Sequence, residues 1–219
     1  MGRSTPSTPT FFAPPETPEQ KINRLLSKIS FYQTGFTGDV EALKTEFKRL
    51  FLANPSALSL LGEAFPYPAS SLQIRIKDLP DDLLGDQSQN VIYIPGHLNC
   101  YEQSLLILIE LCFMTNSQLR MSVDIDRIAF VETGITGTCN SILRAQEVYR
   151  NGIDAGWPTI EEGCQPSMQF LNDFLGMGRE NLLEWARTPQ RILHDQSIQS
   201  RFEDNFDRIN ANPLHIGNW

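Results

Sequence analysis

Apolar residues in the first third of the chain recur at helical spacing, and then the period changes. Ile22, Leu25, Leu26, Ile29 and Phe31, with charges between them, approximate i, i+3, i+4, i+7 and predict an amphipathic helix over 19–32. Val40, Leu43, Phe47, Leu50 and Phe51 predict a second helix over 40–52, with Thr37-Gly38-Asp39 to cap it. A short third helix follows Asn54-Pro55 and carries Leu58, Leu60 and Leu61. From Leu72 the period is two. Leu72-Gln73-Ile74-Arg75-Ile76-Lys77 alternates apolar with polar, and Val91-Ile92-Tyr93-Ile94 is β-branched and aromatic, so two strands are expected with an acidic loop, 78–90, between them.

Pro95-Gly96-His97-Leu98-Asn99 ends the second strand, and a helix opens at Asn99 or Cys100. From Ser104 to Met114 it is apolar all round except at Glu110, the pattern of a buried central helix. It is too short to span a membrane. Ser122 or Asp124 can cap a long helical stretch to about Asn151, with a kink or break expected at Gly134 and Gly137, since each glycine costs about 1 kcal/mol relative to Ala. Asn151-Gly152 and Gly156-Trp157-Pro158 read as a loop, and short helices follow around 168–175, around 182–185 and from Arg191 to about Asn210. The last carries Phe202, Phe206 and Ile209 at helical spacing among alternating charges and reads as a docking helix. Pro213 to Trp219 forms an apolar tip expected to tuck against the body. The expectation is a mostly helical α+β fold, with a small two-stranded sheet preceding a buried central helix. Residues 1–18, with five prolines among Ser and Thr, read as a flexible tail, and 19–219 as one domain.

Composition narrows the function classes. Hydrophobic residues at 41% and charged residues at 20% fit a globular chain, and the formal net charge of −8 offers no general basic field for phosphates, so nucleic acid is not expected as a partner. Cys100, Cys112, Cys139 and Cys164 form no C-x-x-C pair and lie mostly in apolar helical segments, which points to free thiols and a reducing, cytoplasmic setting. No secretory signal is visible before Pro14, although export by a route that uses none stays open. No phosphate-binding glycine pattern surrounds Gly134 and Gly137. His97 and Cys100 give H-x-x-C spacing without a second pair, so no metal site and no cofactor are expected.

The strand Ile92-Tyr93-Ile94, a short polar loop and the helix Leu106 to Phe113 resemble the edge strand and active-site helix of the zincin-like metallopeptidase fold. In that family the helix carries H-E-x-x-H, with two His on one zinc and the Glu activating its water. Here the Glu is Glu110, but Ile109 and Phe113 stand at the His positions. The resemblance extends to degenerate zincin-like domains of bacterial effectors, polymorphic toxins and fungal relatives. These keep an Asn after the Glu and further Glu residues on a later helix, places that Asn116, Glu132 and Glu147 could fill. Tyr93, on the preceding strand, joins them as a binding candidate. The resemblance implies a fold relation and a binding or regulatory, effector-like role toward a protein or small-molecule partner. Read from the residues alone, Glu110 pairs with Arg120, Arg127 or Arg144 at the end of the core, or else serves a site with a pKa raised by desolvation.

A second constellation is His97-Leu98-Asn99-Cys100-Tyr101, which puts a thiol in the first turn of a helix, where thiolate is favoured. Cysteine hydrolases place their nucleophile at such a position, with a His base arriving elsewhere. Cys100 as nucleophile with His97, His194 or His215 as base is therefore the alternative reading, a hydrolase or transferase. A packed, inert cysteine is the structural one.

Overall fold

The computed structural model describes residues 15–34, 38–77, 86–88, 90–117, 125–189 and 196–211. The chain runs α1 (Pro18–Leu26), β1 (Ile29–Thr34), α2 (Val40–Ala53), α3 (Pro55–Glu63), β2 (Leu72–Lys77), β3 (Asp86–Ser88), β4 (Val91–Pro95), α4 (Cys100–Thr115), α5 (Arg127–Asp154), α6 (Ile160–Gly163), α7 (Phe170–Gly176), α8 (Arg179–Arg187) and α9 (Ile198–Ala211). A 3-10 turn, Pro166–Met168, precedes α7. It is an α+β fold, mostly helical, and its sheet has four strands in the order β1-β2-β4-β3. The first three are parallel, and β3 pairs antiparallel with β4.

Two of these strands replace what the hydrophobic pattern implies. The helix expected over 19–32 ends at Leu26, where Ser27 and Lys28 turn back onto its last carbonyls. Ile29 and Phe31 then alternate with exposed Ser30 and Tyr32, and β1 pairs residue for residue with β2. Ile29 continues the helical face of Ile22, Leu25 and Leu26, whereas Phe31, two residues on, fits only the period of a strand, and pairing with β2 decides the segment. The loop expected over 78–90 contains the short β3. The sheet is therefore larger than two strands, and Val91–Pro95 is internal to it, not an edge.

Helix starts follow their caps. Thr17 caps α1 in a reciprocal box with Gln20, so ordered structure begins inside the segment read as a tail. Asp39 caps α2, and Asn54 accepts from Ser56 and Ala57 at the start of α3. Asp126, not Ser122 or Asp124, caps α5, and those two lie outside the described residues. α5 runs unbroken through Gly134, Gly137 and Gly152. Its glycines make room for neighbours. A Cβ at Gly134 would meet the Phe202 ring of α9 at 2.6 Å, and Gly152 sits under the Trp157 ring.

Packing gathers α2, α4 and α5 around one core. Phe47 and Phe51 stack at 4.0 Å between centroids, Phe31 of β1 meets Phe47 edge-on, and all of α4 from Tyr101 to Ile109 is buried. Burying side chains of this size stabilises by about 1.5–3 kcal/mol each. Trp157 donates its indole N–H to the Leu50 carbonyl at 3.0 Å, which ties the loop after α5 to α2. On the far side α9 lies across α5, with Phe130 edge-on to both Phe202 and Phe206. No described helix is long and apolar enough to cross a membrane.

Candidate functional site

The strand-to-helix connections after β1 and β4 meet at the carboxyl end of the parallel strands. Gly38, at φ +108°, lies against Ile76 and within reach of the Gly96 carbonyl, and the Gly96 N–H donates to Lys77 at 2.9 Å. Two helices start there: α2 behind Asp39 and α4 behind Asn99. Between their first turns is an open hollow of about 500 Å³ lined by Glu41, Ala42, Thr45, Glu46, Cys100 and Tyr101. In open parallel sheets ligands bind beyond the carboxyl ends of the strands, which makes this hollow the candidate site.

The first turn of α4 is built from its sequence, Asn99-Cys100-Tyr101-Glu102. Asn99 and Glu102 form a reciprocal capping box. Glu102 is fully buried, accepting the Asn99 N–H at 2.8 Å on one oxygen and the Gln165 N–H at 2.6 Å on the other. Asn99 donates its side-chain amide to the Gly163 carbonyl at 3.0 Å, and Tyr101 donates its hydroxyl to the Pro158 carbonyl. Three residues of one helical turn thus fasten the segment 158–165 over the start of α4. Glu102 is not among the polar candidates read from the sequence, although the Asn-x-x-Glu spacing before an apolar run is the signature of a capping box.

Cys100 is part-exposed at the first position of α4 and faces the hollow. Its thiol pKa is raised, first by desolvation and then by the negative charges of Asp39 and Glu46. The helix start favours thiolate in general, and burial and the two carboxylates act in the opposite direction. Burial also pushes the Cys112 and Cys164 thiols up to about 12 and raises that of Cys139. His97 is exposed, three residues before Cys100. His194 and His215 lie outside the described residues.

The remaining candidates do not converge on this hollow. Glu110 is half-buried rather than sealed in the core. Of the arginines considered for it, Arg144 holds Glu63 at 2.6 Å and also Thr115, Arg127 holds Asp207, and Arg120 lies outside the described residues. Asn116 donates to the Gly137 carbonyl at 2.8 Å and to the Ser141 hydroxyl, joining the end of α4 to α5. Glu132 is exposed and pairs with Arg187 at 3.0 Å. Glu147 is exposed on α5. Tyr93 stands on the other side of the sheet from α4's neighbours Ile92 and Ile94, with the Lys77 ammonium 3.9 Å from its ring centroid. Among the described residues no group of three or more His, Cys, Asp or Glu side chains could hold a metal ion.

No family model, no curated protein and no solved structure matches this chain.

Proposed function

We propose that this chain is a binding or regulatory module rather than a thiol catalyst. The observation that supports this best is the electrostatic setting of Cys100. A hydrolase nucleophile needs a base or a positive field to form thiolate, whereas this thiol is half-shielded and faces Asp39 and Glu46. The other polar groups of the α4 start act as fasteners: Asn99, Tyr101 and Glu102 all hold the 158–165 segment. Ile109 and Phe113 in place of imidazoles suit the same reading. It does not depend on the zincin-like kinship, which would account only for a Glu110 left between those apolar positions.

The cysteine-hydrolase alternative rests on one specific feature, the opening of Cys100 into the hollow. The test is labelling of Cys100 by a peptidyl halomethyl ketone, read by mass in the native and in the urea-unfolded chain. The binding-module reading expects slower labelling in the native protein. Native labelling faster than unfolded would overturn it and make His97 and His194 the first residues to substitute.

A further inference from the structure

Parallel sheets are normally covered on both faces, yet here Ser30, Tyr32, Gln73, Arg75, Lys77, Val91 and Tyr93 on one face are all partly or fully exposed. Ile29, Leu72, Ile74, Ile76, Ile92 and Ile94 are buried on the helix side. On the opposite side, register aligns Ser30 with Gln73 and Val91, and Tyr32 with Arg75 and Tyr93. The result is an aromatic, cation, aromatic row across three strands. Arg75 lies over the Tyr32 ring at 5.8 Å, and Lys77 over Tyr93 at 3.9 Å. Gln73 accepts from two Arg75 nitrogens, at 3.2 and 2.8 Å, which fixes the guanidinium and leaves its remaining donors available. Neither cation is ion-paired with a described carboxylate. Asp86 of β3 stands at the register position beside Tyr93, on the side away from β1.

At one end of that row β1 is the edge strand among the described residues. Its sequence, Ile29-Ser30-Phe31-Tyr32-Gln33-Thr34, contains no charge and no proline, the usual devices that blunt an edge. Tyr32 is 48% exposed. A strand laid beside β1 would lie about 4.8 Å away and send alternate side chains onto the open face. The side chain opposite Tyr32 is then within reach of the Arg75 guanidinium. This row, with Arg75 and Lys77 as its cations, sets the local preference for a partner's charge.

Resting on the binding-module reading, we infer that β1 and the Tyr32–Arg75–Tyr93 face accept an extended acidic peptide segment by strand addition. Backbone pairing to β1 supplies affinity, and a carboxylate on Arg75 supplies selectivity. Two cations already seated on the rings leave little aromatic surface for stacked bases, and an extended peptide backbone can pair with a strand edge where a sugar-phosphate backbone cannot, so an acidic peptide fits better than a nucleic acid.

The test uses the full chain and a short fluorescent peptide alternating Glu with Val, followed by polarisation. Its controls are the same peptide with Lys for Glu, a copy N-methylated at alternate backbone amides, and a labelled oligouridine. The expected result is saturable binding of the acidic peptide alone, weakened roughly tenfold by Arg75→Glu, in line with one charge-assisted pair. Circular dichroism of that variant confirms that it is folded. No saturable binding, equal binding of the Lys peptide or of the N-methylated copy, or preference for the oligouridine each overturns the inference. An activated Cys100 would sink the binding-module reading whatever the peptide does. An inert Cys100 with no peptide binding would sink this inference alone.

Discussion

Glu102 has no exposed surface, and each of its oxygens receives a backbone N–H, one from its own helix cap and one from Gln165 across the fold. Removing the carboxylate strands both donors, and a buried donor without a partner costs about 1–3 kcal/mol. Glu102→Ala should therefore lower unfolding free energy by about 3 kcal/mol in a urea titration at neutral pH, with Glu102→Gln, which keeps one acceptor, losing less. Glu132→Ala, by contrast, removes a surface pair with Arg187 and should change stability by about 1 kcal/mol or less. The buried thiols give a pH dependence with a definite sign. Cys112 and Cys164 titrate near 12 in the folded chain against an ordinary value of 9.0. Between those values the unfolded chain has lost these protons and the folded chain has kept them, so stability is full below about 9 and falls as pH rises toward 12. Urea midpoints from pH 8 to 11 should decline, and Cys164→Ala should flatten that decline. An unchanged slope in that variant would contradict the assignment.

Elements were legible where one period and one cap agree. Val40 to Phe51 behind Asp39, and Cys100 onward behind Asn99, form the helices that their patterns predict. Where tertiary partners decide, the pattern misleads. Ile29 fits the helix face of Ile22 and Leu25 as well as a strand face, and pairing with β2 turns Ile29–Thr34 into β1. Gly134 and Gly152 look like helix breakers, but their use is seen only once the Phe202 and Trp157 rings are placed over them. This yields a double-mutant test of α9 docking. Gly134→Ala gains up to about 1 kcal/mol of helix propensity but drives a methyl into the Phe202 ring, so it should destabilise the native chain. In a Phe202→Ala background the same change should become neutral or stabilising. Equal effects in both backgrounds would mean that α9 does not seat in that notch.

At the scale of the whole molecule, the carboxyl end of the parallel strands brings the starts of α2 and α4 together, and the other side of the sheet is left partly open. Neither arrangement was readable from a single strand or helix, because it depends on β1 joining β2 and on β4 lying inside the sheet. The candidate residues chosen one at a time accordingly scatter: Cys100 at the hollow, Asn116 between α4 and α5, Glu132 against α8, and Tyr93 on the open face. With no group of three or more His, Cys, Asp or Glu side chains among the described residues that could hold a metal ion, equimolar zinc should leave Tm unchanged in a differential scanning experiment, whereas a rise would show a metal site stabilising the folded state. The central claim is that Cys100 serves no nucleophilic role, and its alkylation rate against pH, followed by mass spectrometry on the native protein, tests it most directly. The account predicts an apparent pKa above the ordinary thiol value that moves down in Glu46→Gln, since Glu46 is one of the charges holding it up. A native Cys100 that reacts rapidly at neutral pH, with an apparent pKa well below that of a free thiol, would contradict the account and make this chain a cysteine-dependent enzyme.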